Sequence, residues 1–147
     1  MTGHSVAGLM AALAGMLAVF VQVDEPSGAR ASQEIPEAKR TSLQLYVTAT
    51  EAFDWWRARP DQLKILDVRT PEEYIFVGHA PMAWNIPVAF QTYEWDDDTR
   101  SFAMQPNETF VSQVMAWADR TETILVMCRS GGRSAKAVNV LAESGFT

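Results

Sequence analysis

The stretch "VMCRSGGRSAKAV", Val126 to Val138, gathers the chain's only cysteine, two glycines and two arginines within six residues. A cysteine attacks through its thiolate, and convergent amides or nearby positive charge favour that form. Adjacent glycines, Gly131 and Gly132, let the backbone curl so that successive N–H groups face one spot. A helix starting at about Arg133–Ser134 directs the partial positive charge of its N-terminus at the same spot. Arg129 and Arg133 add full charges. By residue type alone a lone cysteine is more often a buried, inert small hydrophobe. The Gly-Gly loop, the arginines and the strand–loop–helix position favour the reactive thiolate, next to an anion site.

The elements around the loop must hold it at a sheet end. "TILVMC", Thr123 to Cys128, is the most apolar strand of the chain, and "RSAKAVNVLAESG" follows as a helix with Ala137, Val138, Leu141 and Ala142 inward and Gly145 past its end. "LKILDVR", Leu63 to Arg69, reads as a strand buried on both faces, as in a parallel sheet. "TPEEYIFV" then starts a helix, with Thr70 as N-cap, Pro71 at N1 and Glu73 at N3. Further expectations are strands at "LQLYVT" and "AWNIPV", and helices at "TATEAFDWWRAR" (Thr48 and Glu51 as capping box) and "NETFVSQVMAWADR" (Asn107 as cap). Strand–helix alternation at this spacing predicts an α/β fold with a mostly parallel sheet. Ligands bind at the carboxyl ends of such strands, where Cys128 sits.

The 147 residues, 48% apolar and 20% charged, suit one globular domain. One cysteine excludes an internal disulfide, a Cys-x-x-Cys pair and a cysteine-rich zinc site. His4 and His79 are far apart and offer no metal cluster, and a net charge of −6 gives no sign of nucleic acid as a partner. "VAGLMAALAGMLAVFVQV", Val6 to Val23, is uncharged and apolar, and Ala29-Arg30-Ala31 has the form of a signal-peptidase site. Residues 1–31 therefore read as a signal peptide directing the chain to the periplasm or outside the cell. The alternative is a retained anchor, the only route by which a membrane would become a partner; "MTGHS" lacks the basic residues of a signal's start. Residues 32–42 read as a linker and 43–147 as the domain.

Two long segments, "ILDVRTPEEYIFVGHAPMAWNIPV" and "ILVMCRSGGRSAKAVNVLAESGFT", in this order, resemble the rhodanese-like domain family. With the first strand and helix, the resemblance covers roughly residues 41 to 147. It implies a three-layer α/β/α fold around the parallel sheet. It also implies sulfur transfer of the thiosulfate sulfurtransferase type, with Cys128 taking a sulfane sulfur as a persulfide. The donor would be a small anion such as thiosulfate, and the acceptor a thiol, cyanide or a protein. The amides of Arg129, Ser130, Gly131, Gly132, Arg133 and Ser134 would cradle the persulfide, with Arg129 or Arg133 on the donor and neither metal nor organic cofactor. Asp67 and Arg69 would tie the strand end to neighbouring loops, and His79 would be structural. The alternative is a non-catalytic binding or sulfur-sensing module.

Within this fold the competing chemistry is that of phosphatases or arsenate reductases. The phosphatase signature has five residues between cysteine and arginine; Cys128 and Arg133 are separated by four, and Met127 stands where that signature has histidine. Both departures favour sulfur. The family also implies a further strand after "ESGFT", inserted between the first strand and the Cys128 strand, so the domain is expected to be truncated at its C-terminus. "AFQTYEWDDDTRSFAMQPNE" is longer than an ordinary connection and reads either as a lid or docking loop or as a solvated turn held down by its aromatics.

Overall fold

A computed structural model describes residues 35–147; the expected signal segment and the start of the expected linker lie outside the described residues. The elements are α1 (Ala49–Ala58), β1 (Leu63–Asp67), β2 (Ala83–Asn85), β3 (Ala89–Asp96), β4 (Ser101–Pro106), α2 (Phe110–Trp117), β5 (Thr123–Met127) and α3 (Gly132–Glu143). A 3-10 turn, Glu37–Lys39, precedes α1, and a π-helical turn, Glu73–Val77, lies between β1 and β2.

The sheet that carries the site is wholly parallel, in the order β2-β1-β5. Leu66 and Val68 pack with Ile86 and Val88 against Phe110 and Val114 of α2 and Ala137 and Leu141 of α3. Side chains alternate along a strand, so Ile65 points to the opposite face, where it lines a cavity with Ala52 and Phe53 of α1. Helices on both faces give the expected layered α/β/α arrangement.

The caps follow the sequence closely. At α1, Thr48 Oγ1 accepts from the Glu51 amide and Glu51 Oε2 accepts from the Thr48 amide, a complete capping box. Past α3, the Gly145 amide donates to Ala142 O and the Phe146 amide to Leu141 O, with Gly145 at φ 91°. This is a Schellman stop, and Phe146 is buried against the core as the motif's apolar contact. Thr70 and Glu73 also pair reciprocally, but the turn they start widens to π-helix rather than continuing as α-helix.

Four expectations change. Residues 43–48 form no strand: the chain turns at Ser42–Leu43, Gln44 sits at φ 54°, and an apolar cavity of about 240 Å³ lies between Leu43, Leu45 and Val47 and β5. Among the described residues β5 therefore has no strand partner other than β1 and is only partly buried. Asn107 is not the cap of α2; its Oδ1 accepts from the amide of Thr109, the residue immediately before the helix, and its Nδ2 donates to Pro87 O. Residues 89–106 are not an irregular connection but an antiparallel hairpin, β3–β4. From Ile35 onward the expected linker is part of the packed unit: Asn139 of α3 bonds both the Ser42 amide and Arg40 O.

Candidate active site

Cys128 immediately follows β5 and opens the loop into α3. Gly131 adopts φ 98°, a left-handed conformation that glycine reaches without strain. That turn brings the Gly131 amide to 3.1 Å and the Ser134 amide to 3.4 Å of Cys128 Sγ. The thiol lies 3.4 Å from Ser134 Oγ, whose own hydrogen goes to Gly131 O at 3.0 Å. On a thiolate, that hydroxyl can exchange the Gly131 carbonyl for the sulfur as its acceptor. A Cβ on Gly131 would stand 3.3 Å from Lys39 Cδ, so the Lys39 side chain backs the loop.

Burial pushes the Cys128 thiol up. The Ser134 hydroxyl and the Ser134, Gly131 and Ser130 amides pull it down further, leaving it below the ordinary thiol value. Hydrogen bonds donated to a charged form stabilise that form, so the cradle is built for thiolate. Cys128 is half-buried and a cavity of about 530 Å³ opens beside it, lined by Phe53, Met82 and Met127 among others.

The arginines divide. Arg133 Nη2 donates to Glu73 Oε1 at 2.8 Å and Nη1 to Glu73 Oε2, a bidentate pair. This pair holds the Glu73 carboxyl low and the Arg133 guanidinium high. Arg129 is exposed, with no ion-pair partner among the described residues, as is Ser130. Of the six loop residues proposed to meet substrate, Ser130, Gly131 and Ser134 thus turn amides toward the sulfur, Gly132 opens the helix, Arg129 offers free charge and Arg133 is already matched.

Asp67 and Arg69 form the architectural tie expected of them. Arg69 Nη2 donates to Asp67 Oδ2 at 2.6 Å and to Gly78 O at 2.8 Å, with both residues buried. Asn85 Nδ2 donates to the carbonyls of Asp67 and Arg69, fastening β2 to the end of β1. His79 stacks on Tyr74 at 3.5 Å between ring centroids. Glu73 is the residue whose role sequence reasoning missed: it read as a helix cap, and only the fold brings it to Arg133, 60 positions away.

The family model for the rhodanese-like domain matches residues 52–147. The chain belongs to the rhodanese-like domain family. Among rhodanese-like relatives, it is 39% identical over 84 residues to chloroplastic thiosulfate sulfurtransferase 16 of Arabidopsis thaliana, covering 57% of this chain and 62% of that one. It is 36% identical over 83 residues to the mitochondrial protein HIGH ARSENIC CONTENT 1 of the same plant, covering 56% of this chain and 44% of that one. Identity to the senescence-associated protein DIN1 of Raphanus sativus is 34% over 84 residues, 57% of this chain and 41% of that one. The matched stretch is thus less than two thirds of each relative's length. The crystal structure of Rv0390 from M. tuberculosis has the same fold, with a TM-score of 0.53 at 24% identity over 69% of this chain and 70% of that one.

Proposed function

We propose that this rhodanese-like domain is a sulfurtransferase that carries a sulfane sulfur on Cys128. The observation behind the proposal is the convergence of two amides and a hydroxyl on Cys128 Sγ at a parallel strand's carboxyl end. The similarity to a thiosulfate sulfurtransferase points the same way. With thiosulfate as donor, the thiolate attacks the outer sulfur, forming the Cys–S–S⁻ bond while the S–S bond to the sulfonate breaks and sulfite leaves. Cyanide then attacks the terminal sulfur, thiocyanate departs and the thiolate returns, so charge and sulfur balance without redox partner or metal. The loop amides hold the anionic persulfide, and Arg129 meets the donor's sulfonate. Arg133 stays matched to Glu73 and holds the loop's helix against the turn after β1.

Intact-mass measurement after thiosulfate treatment tests this. A gain of one sulfur atom, removed by cyanide with release of thiocyanate and absent in Cys128→Ser, is the expected result. An unmodified wild-type protein with no turnover above Cys128→Ser would sink the proposal and leave a binding or sensing module. Cys128-dependent hydrolysis of an aryl phosphate would replace it with phosphatase chemistry.

A further inference from the structure

The β3–β4 hairpin takes no part in the sulfur chemistry just described, yet it exposes side chains that proteins ordinarily cover. Tyr93 is 97% exposed and Trp95 53%, while Phe102 and Met104 on the partner strand are also exposed. Trp95 and Phe102 meet edge to face at 5.2 Å between centroids, and Met104 follows Phe102 on the same side of β4, while Tyr93 stands out at the register break between Gln91 and Trp95. A two-stranded ribbon is marginal on its own, and an uncovered aromatic face on one marks an interaction surface.

The charge on the same hairpin narrows the occupant. Glu94, Asp96, Asp97 and Asp98 crowd the tip against a single Arg100. Asp96 accepts from the amides of Asp98 and Thr99, which fixes the turn and leaves Glu94, Asp97 and Asp98 facing solvent. Lysine and arginine side chains pair with the carboxylates and lie over the faces of Tyr93 and Trp95. A second copy of this chain brings the same acidic tip and the same overall charge of −6, and an anionic bilayer repels it equally. The position is also informative. Val88 donates to Val68 O and Asn107 to Val88 O, rooting the hairpin at the carboxyl end of the parallel sheet, the end that carries Cys128.

We propose that the β3–β4 hairpin is a docking site for a protein partner whose contact face alternates basic and apolar side chains. That such a partner gives or takes sulfur rests on the sulfurtransferase reading; the docking itself does not.

The test uses the full chain labelled with ¹⁵N and three short peptides, alternating lysine with valine, lysine with serine, and glutamate with valine. The lysine–valine peptide is expected to shift the Trp95 indole N–H and the amides of the hairpin in a saturable way. The lysine–serine peptide should bind about tenfold more weakly and the glutamate–valine peptide not at all. Tyr93→Ala, at a side chain exposed on all sides, and the triple variant Glu94→Gln/Asp97→Asn/Asp98→Asn should each weaken the lysine–valine peptide about tenfold. Neither should change cyanide-dependent turnover of thiosulfate. Equal binding of all three peptides, undiminished binding in either variant, or shifts confined to β5 would overturn the proposal. So would hairpin shifts caused by phosphatidylglycerol vesicles alone, or a dimer that Tyr93→Ala dissociates. Absence of turnover in the wild-type protein would strike the sulfurtransferase reading and leave the binding result standing.

Discussion

At the scale of single residues, the site separates groups that tune charge from groups that fix position. Ser134 tunes: its amide donates to Cys128 Sγ, its hydroxyl beside the sulfur pulls the thiol value down, and the amide survives substitution. Ser134→Ala is therefore expected to raise the Cys128 value, moving the pH profile of iodoacetamide alkylation to higher pH with circular dichroism unchanged. An unmoved profile would mean that the amides alone hold the thiolate. Asp67 fixes position: fully buried, it takes three contacts from the Arg69 guanidinium. Asp67→Asn leaves that guanidinium without its counter-charge, and urea denaturation is expected to show a loss of about 3–5 kcal/mol. The pair Glu73–Arg133 is more exposed, so removing it should cost far less. Cys128 as a candidate nucleophile was legible from residue type and local order, while the place of Ser134 in the cradle and the Asp67–Arg69 tie came only with the family resemblance. The Glu73–Arg133 pair was not, because nothing along the chain says that a helix cap and a loop arginine share one place.

The elements follow local rules where local rules suffice. The capping box of α1 and the Schellman stop of α3 both follow from short patterns. Gly145 is the sharpest case. Its left-handed backbone disfavours any side chain, and an added Cβ would come within 3.3 Å of Arg120 Nε, which caps Ser144 O. Gly145→Ala is expected to lower unfolding free energy by about 1 kcal/mol, read as a lower urea midpoint at unchanged m-value. The failures are equally physical. "LQLYVT" has strand chemistry, but a strand exists only when a neighbour takes its hydrogen bonds, and β5 lies across a cavity. "AFQTYEWDDDTRSFAM" looked like loop because of its acidic centre. Its two flanks pair with each other, and Asp96 turns the chain between them.

At the scale of the whole molecule, β5 has no strand on its far side among the described residues, and two apolar cavities flank that edge, sharing Val47, Leu125 and Val126. An uncovered edge beside apolar walls binds hydrophobic probes and invites strand pairing. Folded protein is expected to bind the dye ANS, and Val47→Lys, which sets a charge between the two cavities, should reduce that fluorescence while leaving the far-ultraviolet spectrum intact. Undiminished fluorescence would place the dye elsewhere. The sequence by itself determined the class of fold, the order of most elements and Cys128 as the candidate nucleophile. Each of these rests on periodicity, caps and glycines acting within a few residues. Only the tertiary structure decided which arginine stays free, where the sheet ends and what the acidic aromatic stretch becomes. Those outcomes depend on which groups the packed chain brings within hydrogen-bonding distance, and Glu73 and Arg133 meet only because β1 and β5 lie side by side.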